Sequence, residues 1–249
     1  MLDEIQREQM LCDVNLSQDV PLTFSYSMNG CVLERVKNYP YLGVTISDNL
    51  SWSGHIHKVI CKSNRTLDLL RRNLWNCKLQ VKETAYKCLV CTRHLPGTDQ
   101  LEYACAVWDP HLKNDIYNIE MVQRRAAQFV CRDYRRETEV VSSLLEKLGW
   151  QTLQERRKAA CLTLFNKIVT KLNAVDTGNL LRASTRNTRS NSALSPAFIN
   201  IQTTKDSYTY FFFPRTVADW NQLSHQTREV KSVDAFNALL CIPTAHRHD

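Results

Sequence analysis

Glycine and proline are scarce, with only 6 and 7 among 249 residues. A chain of short strands joined by tight turns needs more of both, so an all-β architecture fits poorly and a mostly helical one is expected. No apolar run reaches the roughly 18 residues that a membrane-spanning helix needs. The opening residues, MLDEIQREQM, are acidic and polar and lack the apolar stretch of a secretion signal. The expected setting is therefore intracellular and non-secreted, with nucleus and cytoplasm not distinguished. Its reducing chemistry would keep the 10 cysteines as thiols. Also missing are a glycine-rich phosphate loop, a G-x-S-x-G elbow and any Asp-Asp pair. Two-metal phosphoryl transfer needs carboxylates clustered around ions about 3.5–4 Å apart, and no obvious set is present. No catalytic residue, cofactor or metal site is expected.

What is present is a globular composition, 43% hydrophobic and 23% charged, which argues against wholesale disorder. Folded as one unit, a chain of this length buries roughly three-quarters of its unfolded surface. The net charge of +7 is unevenly placed. Residues 1–50 hold 3 Lys/Arg against 7 Asp/Glu. Residues 51–75 hold 5 (Lys58, Lys62, Arg65, Arg71, Arg72) against Asp68 alone, and residues 156–189 hold 8 against Asp176 alone. Clustered positive charge is the footprint of a phosphate-binding surface, and equally of an ordinary solvated helix face.

Along the chain, residues 1–20 are polar without a clear period and read as a frayed helix or a leader. Leu22, Phe24 and Tyr26 alternate with polar neighbours, and Asn29-Gly30 then marks a hairpin. Val32 and Leu33 begin the return strand, and Tyr39 to Ile46 reads as a third strand. From Ser53 the period becomes helical. Ile56, Ile60, Leu67, Leu70 and Leu74 form one apolar stripe, with Ser63 filling its gap and the basic residues off it. Further helices are expected over 79–92, Leu101 to Trp108, Leu112 to Val130, Val140 to Leu148 and Thr152 to Leu172. Arg124-Arg125 lie away from the apolar side of the Leu112–Val130 helix. Residues 182–205 are Ser/Thr/Asn/Arg-rich and aperiodic, a loop or linker. An aromatic run, Tyr208 to Phe213, precedes a short helix opened by Pro214, and Val233 to Leu240 is a last amphipathic segment.

The metal-like spacings do not assemble into a site. Cys88-x-x-Cys91 has no second pair, and His57 with Cys61 supplies two ligands where structural zinc takes four. Cys61, Cys88, Cys105 and Cys161 fall in apolar-periodic stretches, where a cysteine acts as a small core hydrophobe.

Five phrases stand together in order: YLGVTISDNLSWSGHI (41–56), LEYACAVWDP (101–110), EMVQRRAAQFVCRDY (120–134), LGWQTLQERRKAA (148–160) and FFPRTVADWNQL (212–223). Each resembles a stretch from the C-terminal third of the reverse transcriptases of LINE-type (non-LTR) retrotransposons, jockey-like and chicken-repeat-like elements above all. The resemblance runs from about Phe24 to Leu240. It implies that Tyr41, Leu42 and Gly43 correspond to the primer-grip turn at the end of the palm. It also implies that residues 53–93 begin a thumb whose helices lie along the template–primer duplex. Lys58, Lys62, Arg65, Arg71 and Arg72 would then meet phosphates without reading bases, with Arg124 and Arg125 of the Q-R-R-A-A phrase as further candidates. Structurally, the same Gly43 would merely permit a close backbone approach, and the arginines would be solvated or paired.

The resemblance also implies that the family's catalytic carboxylates lie upstream of the matched region. Residues 91–100, CTRHLPGTDQ, read as an insertion before the L-E-Y-A phrase. The expected fold is mostly α, a multi-helix thumb-like bundle with a small N-terminal antiparallel β element. Its segments are a leader (1–20), an end-of-palm hairpin element (21–50), a helical thumb and C-terminal helical region (51–181), a basic linker (182–205) and a C-terminal aromatic and helical segment (206–249). The expected activity is non-catalytic, non-specific binding of an RNA–DNA hybrid or duplex. The rivals are an inert relic of a degenerate element and an exapted helical protein-interaction module.

Overall fold

The computed structural model describes residues 25–91, 101–135, 137–184, 197–204, 206–230 and 232–240. The leader, residues 22–24 of the expected first strand, and nearly all of the expected insertion lie outside them. Asn29 and Gly30 sit at φ 51° and 80°, the left-handed pair that a two-residue hairpin turn requires. They join β1 (Ser27–Met28) to β2 (Cys31–Val32), with Ser27 opposite Val32 and all four residues exposed. This hairpin belongs to a unit of residues 1–37; residues 38–249 form a second unit. The division falls inside the expected 21–50 element.

The single strand expected over 39–46 is instead a second hairpin. β3 (Asn38–Tyr41) pairs antiparallel with β4 (Val44–Ser47), and Tyr39 faces Ile46 across the ladder. Leu42 (φ 46°) and Gly43 (φ 83°) make the turn between them. A period of two is the same in one long strand and in two short ones folded back, so alternation alone missed the reversal.

Helix α1 (Ser53–Asn73) follows the expected stripe: Ile56, Leu67 and Leu70 are buried together with Val59 and Ser63. After it come α2 (Leu79–Leu89), α3 (Cys105–Trp108), α4 (Lys113–Cys131), α5 (Thr138–Lys147) and α6 (Leu153–Val169). The helix expected from Leu101 shrinks to α3 because Ala104 is left-handed (φ 48°), which no α-helix tolerates in its interior. Helix α6 opens on a capping box, in which Thr152 and Glu155 each satisfy the other's backbone N–H. Helices α7 (Asp206–Thr209), α8 (Phe212–Asn221), α9 (His225–Arg228) and α10 (Val233–Leu240) complete the order. The four-residue α7 and α9 are too short to carry a readable period. The architecture is mostly helical with small antiparallel β elements toward the N-terminus.

Two apolar cores form within residues 38–249. The first gathers α1, α2, α4 and the start of α6 around Trp108, Ile119, Phe129 and Leu153. The second gathers the rest of α6 with α8 and α10 around Phe165, Trp220 and Phe236. Helix α6 therefore serves both. Within the expected loop or linker, Phe198 joins the second core: it is 9% exposed, and Asn221 bonds both its N–H and its carbonyl. One aromatic among polar residues was enough to be recruited, a choice that composition does not reveal. Among the cysteines, Cys105 and Cys161 are buried as expected. Cys61 is only half-buried and Cys88 is exposed. Cys91, just beyond α2, takes the core position instead.

Candidate nucleic-acid interface

On an α-helix at about 100° per residue, Lys58, Lys62, Arg65 and Arg72 fall within about 80° of arc and over about 21 Å of axis. All four are exposed. The buried residues Ile56, Val59, Ser63, Leu67 and Leu70 centre about 140° away, so the basic stripe faces away from the core. Leu69, 50% exposed, interrupts it between Arg65 and Arg72.

Arg71 does not belong to this stripe. Its helical position is on the opposite flank, where it meets Asp68 at 3.7 Å and lies 5.5 Å over the ring of Tyr134. The only acidic residue of 51–75 therefore sits beside the one cation that points elsewhere. Arg124 is half-buried, and Arg125 donates to Asn64 Oδ1 (3.2 Å) on the flank of α1 where α4 packs. The seven candidates thus divide into four aligned on one face, Arg71 and Arg125 on the α1–α4 side, and a half-buried Arg124.

The Tyr41–Leu42–Gly43 turn lies beside the start of the stripe. Lys58 Nζ donates to Thr45 Oγ1 (3.1 Å), and the Thr45 backbone N–H donates to Nδ1 of buried His55 (3.2 Å). His55 meets Trp108 edge to face at 5.3 Å. Tyr103 holds the turn from the other side by donating to the Leu42 carbonyl (3.0 Å). A Cβ on Gly43 would stand 3.2 Å from Tyr103 Cε1. Tyr41 and Leu42 remain exposed. Nothing in the sequence marks His55 as the anchor, because its value depends on a hairpin reversal that the period conceals. Gly43→Ala should lower stability by about 1–2 kcal/mol, combining left-handed strain with the tight ring contact. Gly54→Ala, where a Cβ meets nothing within 4 Å, should instead raise it by about 0.5 kcal/mol through helix propensity. Urea unfolding of the two variants checks the opposite signs.

In the second basic stretch, residues 156–189, the first three of the eight cations are held in ion pairs. Arg156 meets Glu102 at 2.5 Å, Lys158 meets Asp219 at 2.7 Å, and Arg157, fully buried, donates through Nε to Asp109 at 2.7 Å. Asp109 also receives Arg215 at 3.1 Å. Arg156, Arg157 and Lys158 are therefore structural cations joining α6 to its neighbours rather than an open phosphate surface. A one-residue helical step from an apolar face does not say which acid waits there.

Two aromatic side chains lie outside the α1 stripe, just past the ends of α1 and α4. Trp75 and Tyr134 stack at 5.9 Å with 17° between planes. Arg132 is 5.9 Å over Trp75 and donates to its carbonyl oxygen. Beside them, Arg135 hydrogen bonds hold the Asp133 carboxyl down to about 2. Among the described residues, no group of three or more His, Cys, Asp or Glu side chains could hold a metal, and no helix is long and apolar enough to cross a membrane. His57 Nε2 and Cys61 Sγ meet at 3.5 Å as an isolated pair. Comparison with family models, curated proteins and solved structures finds no match for this chain.

Proposed function

We propose that this chain is a non-catalytic part of a retroelement RNA-directed DNA polymerase, comprising the end of the palm, the thumb and the C-terminal region. It binds hybrid or duplex nucleic acid non-specifically, through phosphates. The observation that carries the reading is the alignment of Lys58, Lys62, Arg65 and Arg72 on the face of α1 opposite its core. Four cations along about 21 Å match a helical polyanion, which offers charge continuously along its axis. Residue spacing of this kind suits backbone contact, which positions without reading sequence. The five phrases that resemble LINE-type reverse transcriptases supply the parent activity, and the tightly held Tyr41–Leu42–Gly43 turn beside Lys58 is consistent with a primer-grip role.

The test is a salt titration of binding to an RNA–DNA hybrid, for the wild type and for the chain with all four stripe residues changed to alanine. Counterion release contributes about 0.9 to the log–log slope per phosphate neutralised. The variant should therefore be flatter by about 3 to 4, and should lose roughly 10²-fold in affinity at low salt. The four side chains are exposed, so the circular dichroism of the two proteins should coincide. A folded wild type that ignores the hybrid at low salt would sink the proposal. One observation favours a protein-interaction module instead: an apolar hollow of about 370 Å³ lined by Trp52, Val107, Leu164, Phe212 and Pro214 among others. Salt-insensitive association with a protein would select that reading. A chain that is protease-labile and unfolded would select the relic.

A further inference from the structure

The basic stripe ends at Arg72, and three residues later, just past the end of α1, Trp75 stands 48% exposed. Tyr134, 38% exposed and just past the end of α4, stacks on it. Cations from three elements surround the pair. Arg71 of α1 lies over Tyr134, while Arg132 at the cap of α4 and Lys82 Nζ of α2 (5.9 Å) lie over Trp75.

This arrangement contrasts with a stacked pair inside the first core. Tyr86 and Trp150 pack with ring centroids 4.8 Å apart, and Tyr86 is 1% exposed. That pair serves packing, since an aromatic contributes most when its whole area leaves water. Trp75 and Tyr134, by contrast, are each more than a third exposed, and positive charge gathers around them. Exposed rings among cations suit single-stranded nucleic acid, whose bases stack without regard to sequence while the phosphates meet the arginines.

We infer that Trp75 and Tyr134 form a stacking platform for an unpaired nucleobase, in a single strand that leaves the duplex held along α1. The duplex half of this statement rests on the function proposed above. The platform half can be read separately, by including a free single strand.

The experiment measures binding of the full chain to three probes: a short blunt DNA duplex, the same duplex with an oligothymidine overhang, and free oligothymidine. The wild type should prefer the overhang duplex by about tenfold, from one or two stacked bases. Trp75→Leu and Tyr134→Leu, which keep apolar bulk on exposed positions, should abolish that preference and leave blunt-duplex affinity unchanged. Tyr134→Phe should keep it. Equal binding of blunt and overhang duplexes by the wild type overturns the platform while leaving the proposed function standing, and needs no variant. A preference that survives both leucine substitutions overturns it as well. If the blunt duplex is not bound but oligothymidine is, and the leucine variants lose it, the platform stands and the duplex reading falls.

Discussion

Asp109→Ala is expected to lower the free energy of unfolding by about 3–5 kcal/mol, read as a shift in the urea midpoint at unchanged slope. The carboxylate follows α3 and holds two guanidinium groups, Arg157 Nε at 2.7 Å and Arg215 at 3.1 Å. Arg215 also donates to the Asp109 carbonyl (3.0 Å). Arg157 is 0% exposed, so removing its acid strands a positive charge away from water, the costly way to break a buried pair. Arg157→Met should cost far less, because it removes the buried charge itself, leaves Asp109 its Arg215 partner, and keeps most of the packing volume. The asymmetry between the two variants is the informative result. Equal and small losses would mean that water reaches Arg157. The pair of exposed Lys87 with Glu83, by contrast, should contribute less than about 1 kcal/mol when Lys87 is removed.

The same joint sets the second large expectation, an alkaline loss of stability carried by Cys161. Burial pushes its thiol up from 9.0 to about 12, helped by Cys105 and Asp109 and opposed by Arg215. A folded pKa above the unfolded one means that the native state keeps its proton while the unfolded chain gives it up. Stability from this group is fully present below pH 9 and is lost as pH rises from 9 toward 12. Three pH units at about 1.36 kcal/mol each make the whole effect about 4 kcal/mol. Buried Tyr86 and Cys91 shift in the same direction, while Lys82, lowered chiefly by burial, acts with the opposite sign. The comparison that isolates Cys161 is therefore between wild type and Cys161→Ala. Unfolding free energy should fall less steeply between pH 9 and 12 in the variant, although the variant starts lower from its lost packing. Parallel pH profiles would show that the thiol is hydrated.

Periodicity was the most dependable part of the sequence. The apolar stripe from Ile56 to Leu74 made α1 legible almost to the residue, and Val233–Leu240 was read with its observed bounds. Both are local: a helix's buried face repeats every 3.6 residues whatever it packs against. The same geometry put Lys58, Lys62, Arg65 and Arg72 off the core face before any partner was visible. Less local features were misread. Tyr39 to Ile46 looked like one strand, because alternation does not record a reversal at Leu42-Gly43. The loop or linker expected over 182–205 does not announce the burial of Phe198, because an isolated apolar residue leaves no period.

What only the tertiary structure decided was the fate of individual charges. Arg72 and Arg157 are alike in sequence, each the second of an Arg-Arg pair on an amphipathic helix. One lies on an open face; the other is fully buried against Asp109, an acid 48 positions earlier in the chain. A helical pattern specifies the direction of a side chain from its own axis, but the acid, ring or solvent it meets belongs to another element. That is why the basic flank of α1 could be proposed from the sequence, while the ion-paired joint on α6 and the Trp75–Tyr134 stack emerged only when distant segments were brought together.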